Sequence, residues 1–194
     1  MELRTIVGEV EFSQKIKRSE FICHAGYVKS VKEAVEFVKK TVNDFRDATH
    51  NCWAYRVYED ATILEHSSDA GEPSGTAGIP ILNAIKSLNF YNTAVVVTRY
   101  FGGVKLGVKG LREAYSKSAK SALEAVEYTI VKPMNIYRVQ SHISDYGKVK
   151  SILSKETTIV EEEFFEDKFE IVYASDKPLT EDSILIRKEL VSVD

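Results

Sequence analysis

The feature that most restricts the fold is an unbroken apolar run, Ala94, Val95, Val96 and Val97, set between two glycine-rich stretches. A half-buried strand alternates apolar and polar residues, and this run has nothing polar to turn outward. Residues 93–98 are therefore read as a central strand buried on both faces. Seven of the ten glycines lie between Gly71 and Gly110, flanking that strand. Glycine is used where the backbone must turn left-handed or be approached closely, so both flanks are places of tight turning or close contact.

Around this centre the pattern is α+β. Ile6, Val10 and Phe12, then Phe21, Cys23, Ala25 and Tyr27 after the polar break 13–20, fit two antiparallel strands. Ser30-Val31-Lys32-Glu33 is a capping box, and Val31, Ala34, Val35, Val38 and Val42 follow at helical spacing, predicting a helix over 31–41. Residues 51–58 and 62–66 flank Glu59-Asp60 as a hairpin. A polar loop, 67–75, leads to a helix over 76–88. Val108, Leu111, Tyr115, Ala119, Ala122 and Val126 mark the longest helix, and 127–131 returns as a strand.

Pro133 is the expected hinge, one strand ending before it and another beginning at 135, which gives domains 1–132 and 133–194. The second domain reads strand 135–143, helix after Ser144, strands 157–165 and 168–174, then a helix over 180–190. That βαββα order suits a ferredoxin-like sheet whose closing strand is very short or absent.

With 194 residues, 44% apolar and 28% charged, a soluble globular protein is expected. No stretch approaches the roughly 20 apolar residues of a membrane span, and the opening Met1-Glu2-Leu3-Arg4 lacks a signal-peptide core, so a cytoplasmic location is expected. Cys23 and Cys52 are too few for a disulfide framework, and no Cys-x-x-Cys or His-x-x-x-His spacing calls for zinc. No cofactor is expected. The net charge of −3 is uneven: residues 1–132 hold 18 Lys/Arg against 16 Asp/Glu, whereas 133–194 hold 8 against 13. The first part tolerates a polyanion; the second repels one.

Both glycine-rich stretches, 68–78 and 99–112, lie between a strand and a helix, where unpaired amides and the helix dipole favour an anion such as phosphate. The second carries Arg99, Lys105, Lys109 and Arg112 with no acid before Glu113, beside Tyr100 and Phe101. Cations on phosphates and a ring against a base would hold a nucleic-acid strand. Structurally, the same rings could end a strand in the core and the glycines could merely permit a turn. Gly102 and Gly107 have P-loop spacing, but Val108 stands where the lysine belongs, and Gly107-Val108-Lys109-Gly110 has only the form of a KH loop. Gly71-Glu72-Pro73-Ser74-Gly75 puts serine one place late for a nucleophile elbow. His50 and Cys52 share a strand face as a conceivable base and nucleophile, or as core and satisfied neighbour. Asp69 and Glu72 could work as acid and base or bind Mg²⁺; the alternative is that such residues cap the helix at Thr76 or pair with a nearby cation such as Arg99.

Three segments together, Ala48-Thr49-His50-Asn51-Cys52-Trp53-Ala54-Tyr55, 68–78 and Arg99-Tyr100-Phe101-Gly102-Gly103-Val104-Lys105-Leu106-Gly107, closely resemble the IMPACT/YigZ family in content and order. The resemblance implies an N-terminal domain like the second domain of a small-subunit ribosomal protein, with a mixed sheet and helices on one face. It implies a C-terminal ferredoxin-like domain similar to one in elongation factor G. Carried over, the motif positions are Thr49, His50, Asn51, Asp69, Gly71, Glu72, Ser74, Gly75, Arg99, Gly102, Gly103 and Gly107, expected to converge on one cleft. The family's eukaryotic members regulate translation with the help of a further N-terminal domain, which this sequence does not show, so a bacterial-type member is expected. A proline-dipeptidase label carried by some members finds no metal-ligand set here.

The expected function is a non-enzymatic, RNA- or ribosome-associated regulator of translation. Arg99, Lys105, Lys109 and Arg112 would contact phosphates, helped by Gly102, Gly103, Gly107, Ser74, Gly75 and Thr76. The rivals are an enzyme acting on a phosphorylated small molecule or nucleotide in the same cleft, and a protein-interaction module that meets its partner through the acidic C-terminal domain, where Glu161, Glu162 and Glu163 stand together.

Overall fold

The computed structural model describes residues 2–193; Met1 and Asp194, the outer ends of the two expected domains, lie outside the described residues. The chain divides into two units, one running to Val131 and including Val193, the other Lys132–Ser192.

The first unit is built on β2 (Glu9–Ile16), β3 (Ser19–Tyr27), β4 (His50–Glu59), β5 (Thr62–Ser68) and β6 (Thr93–Tyr100), in the order β2-β3-β6-β4-β5. A short β1 (Leu3–Ile6) pairs elsewhere, with the start of β7 (Tyr128–His142). The apolar run occupies the centre of the sheet, and Thr93 through Arg99 are buried. Every neighbouring pair in this sheet is antiparallel, not mixed.

Helices cover both faces, not one. Phe21, Cys23, Ala25, Cys52, Ala54, Val95 and Val97 pack with Ile81, Ala84 and Ile85 of α2 (Gly78–Ser87) and Leu111, Tyr115 and Ala119 of α3 (Gly107–Ala125). The alternate positions Tyr55, Val57 and Ala94 pack with Ala34 and Phe37 of α1 (Val31–Asp44). The doubly apolar central strand requires this arrangement, because successive strand residues point to opposite faces and each face needs a cover. Ser30 caps α1 by accepting from Glu33 N, while the Glu33 carboxylate accepts from Lys29 N.

The polar break 13–20 is mostly strand. β2 and β3 are joined by Lys17 and Arg18 alone, at φ +45° and +70°, a two-residue turn made without glycine. Gln14 hid the strand because its amide donates to Ser118 Oγ (2.7 Å) where an apolar residue would be expected.

In the second unit, strands β8 (Thr158–Phe164), β9 (Lys168–Ser175) and β10 (Ile184–Ser192) join β7 in the order β10-β7-β9-β8, with Leu153 of α4 (Tyr146–Glu156) packed in one cluster with Tyr137, Val139, Phe169, Ile171 and Tyr173. Two expectations are corrected here. The helix over 180–190 is absent, and its place is taken by β10, so the closing strand is nine residues long. Ile186 and Val191 pack with Ile136, Val172 and Ala174, and the Arg187–Glu189 ion pair (2.6 Å) joins i and i+2, which face together on a strand but not on a helix. Pro133 does not separate two strands: β7 runs through it. Its register changes partner there, Tyr128–Val131 pairing with β1 and Asn135–His142 with β9. Pro133, which has no N–H to donate, falls between the β1 and β9 ladders and belongs to neither.

Candidate functional site

The first glycine-rich stretch leaves β5 at Ser68 and must enter α2 within ten residues. Ala70, Gly71 and Gly75 take positive φ (+44°, +88° and +71°), and Gly78 lets the helix start against the strand end, since a Cβ there would lie 2.8 Å from the Ser68 backbone. Asp69 organises the loop. Its Oδ2 accepts from Gly75 N (2.8 Å) and its Oδ1 from Ala77 N and Gly78 N (2.9 Å each). Desolvation pushes the Asp69 carboxyl up, but the donations from Gly75, Ala77, Gly78 and Thr76 outweigh it and hold it below the usual carboxylate value. The helix N-terminus, read from sequence as a phosphate seat, is thus filled by the chain's own carboxylate.

Glu72 closes the loop onto the central strand. Arg99, at the end of β6, donates through Nη1 to Glu72 Oε1 (2.6 Å), and the Tyr115 hydroxyl donates to the same oxygen (2.8 Å). The Arg99 and Glu72 side chains are only 6% and 3% exposed, so this guanidinium is not displayed toward a ligand. It lies 5.6 Å from the Phe21 ring centroid and 5.2 Å from that of Phe101. Burial next to Glu72 pushes the Tyr115 hydroxyl far up, keeping it a donor.

The motif positions on and before β4 fix the same loops. His50 Nδ1 lies 3.0 Å from Ala70 O, Asn51 donates to Phe45 O and accepts from Thr98, and Thr49 Oγ1 accepts from Phe101 N. Cys52 donates its S–H to Asp69 O (2.9 Å), and burial pushes its thiol up to about 12, so the thiolate a nucleophile needs is scarce at neutral pH. The pairing of His50 and Cys52 as base and nucleophile does not form: each holds a loop carbonyl.

The second stretch leaves β6 over the β2–β3 turn. A Cβ on Gly102 would come within 1.8 Å of Arg18 O, and Gly103 and Gly107 take positive φ (+83° and +73°). Phe101 is 44% exposed, not core. Thr76 is buried and donates to Pro73 O, whereas Ser74 is exposed. Arg112 Nε donates to Gly75 O (3.0 Å), tying the first loop to α3. Lys105 is exposed, and Lys109 makes only an exposed i,i+4 pair with Glu113 (3.9 Å).

The structure therefore brings together Thr49, His50, Asp69, Gly71, Glu72, Gly75, Arg99 and Arg112, while Lys105 and Lys109 stand outside this bonded set. Sequence reading missed Tyr115, which kept helical spacing with its apolar neighbours. The one available signal was a hydroxyl on an otherwise apolar stripe, which needs a partner when buried. Among the described residues no three His, Cys, Asp or Glu side chains are grouped as a metal would require. Among them, too, no helix is long and apolar enough to cross a membrane.

These features define an α+β protein whose first unit is an antiparallel sheet between helices, with a self-capped acidic loop locked to a buried arginine. Residues 17–123 match the Impact N-terminal domain, and the chain belongs to the IMPACT family. It is 38% identical over 163 residues to IMPACT family member YvyE of Bacillus subtilis, covering 84% of this chain and 75% of that protein. To IMPACT family member YigZ of Escherichia coli it is 31% identical over 144 residues, covering 73% and 70%. A crystal structure of a hypothetical protein superposes with a TM-score of 0.69 at 28% identity, covering 90% of this chain and 85% of that one. The two-domain translational regulator Yih1 superposes with a TM-score of only 0.39, at 27% identity over 65% of this chain and 48% of that one.

Proposed function

We propose that this chain is a non-enzymatic, RNA- or ribosome-associated regulator of translation, acting in the cytoplasm through the first unit. The observation that carries this reading is that both candidate acids are already engaged: Asp69 caps α2, and Glu72 neutralises Arg99. A general acid or base must be able to exchange a proton with substrate, and neither carboxylate is placed to do so. Displayed around the fixed loops are instead Lys105, Lys109, Arg112, Ser74 and the Phe101 ring, the chemistry of backbone contact and stacking. The resemblance to a family whose eukaryotic members regulate translation supports the same reading. Likeness of the first unit to a ribosomal-protein domain, and of the second to a ferredoxin-like domain of elongation factor G, belongs to the proposal. So does a protein partner for the acidic second unit, which would repel RNA.

Arg99 enters the reading as the residue that holds the loops, not as a phosphate ligand. Filter binding of single- and double-stranded RNA across a salt series tests it: affinity falls steeply with salt, and Lys105→Gln with Lys109→Gln weakens binding. No binding of either RNA at about 50 mM salt sinks the proposal.

A further inference from the structure

One hollow near the glycine loops is not between them. It lies between α2 and α3, has a volume of about 740 Å³, and is lined by Asn83, Arg112, Ser116, Lys117, Lys120 and Ser121 among others. Its acids are Glu113 and Glu124, and Glu113 is already within 3.9 Å of Lys109. Among the described residues, no carboxylate lies within ion-pair distance of Arg112, Lys117 or Lys120. A second hollow of about 210 Å³ shares Lys117 and Glu113 with the first and adds Lys17 from the β2–β3 turn. Positive charge thus continues from one hollow into the other.

We propose that this groove seats the sugar-phosphate backbone of RNA, resting on the RNA-binding reading above and placing the contact on α3 and not at the glycine loops. Arg112, Ser116 and Lys120 repeat at i, i+4 and i+8, so they line one side of the helix. At 1.5 Å per residue they span about 12 Å, a length over which a nucleic-acid strand presents more than one phosphate. A single phosphate would use only part of that length. The Arg112 guanidinium is held in advance by its bond to Gly75 O, so little freedom is lost when it meets an anion. Ser116, Ser121 and Asn83 add uncharged donors and acceptors for phosphate oxygens and the 2′-hydroxyl. Glu124 at the far end of the groove opposes a polyanion there, so the strand lies toward Arg112.

The test is fluorescence anisotropy of the full chain with a labelled 12-nucleotide oligouridylate and a labelled RNA duplex, across a salt series, with ATP as a competitor. Lys117→Gln with Lys120→Gln is expected to weaken RNA binding about tenfold or more and to flatten the log–log salt slope by about 1.4 to 1.8, the loss of two phosphate contacts. Lys117→Arg with Lys120→Arg keeps the charge, and is expected to stay within about twofold of the parent, separating lost contacts from lost folding. Lys105→Gln with Lys109→Gln is expected to cost about threefold or less. If that loop variant loses binding and the groove variant does not, the groove is overturned while the RNA reading stands. If the parent chain binds neither RNA, both fall. Groove-dependent binding of ATP without RNA overturns the inference in favour of a small-molecule site.

Discussion

Each unit contains a carboxylate, a cation and a tyrosine hydroxyl bound to one another, and their settings are opposite. In the first, Glu72 accepts from Arg99 and Tyr115 in the core. In the second, Glu162 accepts from the Tyr146 hydroxyl (2.9 Å) and from Lys150 Nζ (3.1 Å), with Lys150 and Glu162 side chains 42% and 24% exposed. The bonds from Lys150 and then Tyr146 hold the Glu162 carboxyl below its ordinary value, and Tyr146 and Glu162 hold the Lys150 ammonium above its own. Similar geometry therefore has different consequences. Water can replace a partner lost at the surface, but nothing replaces one lost in the core.

The largest expected effect is Glu72→Ala, which strands a buried guanidinium and is expected to destabilise by about 3–5 kcal/mol in urea unfolding. Glu72→Leu with Arg99→Met, which removes both charges, recovers most of that loss. If the double variant is as unstable as the single one, the pair is not acting through desolvation and the comparison breaks. Next come two glycines. Gly102→Ala drives a methyl into the Arg18 carbonyl and is expected to cost about 1–3 kcal/mol, whereas Gly147→Ala in α4, with nothing within 4 Å of its Cβ, leaves the denaturation midpoint unchanged or raises it.

Asp69→Asn follows, at about 1 kcal/mol for a weakened helix cap. The Asp69 carboxyl titrates below its unfolded value, so its contribution is complete above the unfolded pKa and fades as pH falls through the folded one. The gap between Asp69→Asn and the parent protein is therefore expected to be full at pH 7 and to close below about pH 4, read from urea midpoints across pH. The smallest effect is Glu162→Gln, expected to leave the midpoint within experimental scatter; a shift comparable to that of Glu72→Ala would show that exposure is not what separates the two triads.

The same contrast explains what was legible in the sequence. The central strand, α1 and the longest helix followed from runs and spacings within a few residues, because propensity and burial agreed there. Residues 180–190 misled because Arg187, Lys188 and Glu189 supply charges as an exposed helix would, while the strand is fixed by packing on Ile136 and Val172, far away in sequence. At the site, the sequence offered as one alternative that such acids cap the following helix or pair with a cation such as Arg99; which acid does which came from the structure, Asp69 on the helix amides and Glu72 on Arg99. Tyr115 and the α2–α3 groove were not legible, since helical spacing ranks Tyr115 with its apolar neighbours and treats Lys117 and Lys120 as an ordinary solvated face.

By itself, the sequence determined that a doubly buried strand stands at the centre, that glycine-dependent turns flank it, and that positive charge gathers after it. Those properties depend on side-chain polarity and local backbone freedom, which are fixed residue by residue. Only the tertiary structure decided that Arg99 is buried and neutralised, that Asp69 fills the helix terminus, and that Arg112, Lys117 and Lys120 line one hollow between α2 and α3. Burial and pairing depend on residues brought together from distant parts of the chain, Glu72 with Arg99 and Gly75 with Arg112, and no spacing along the sequence encodes that meeting.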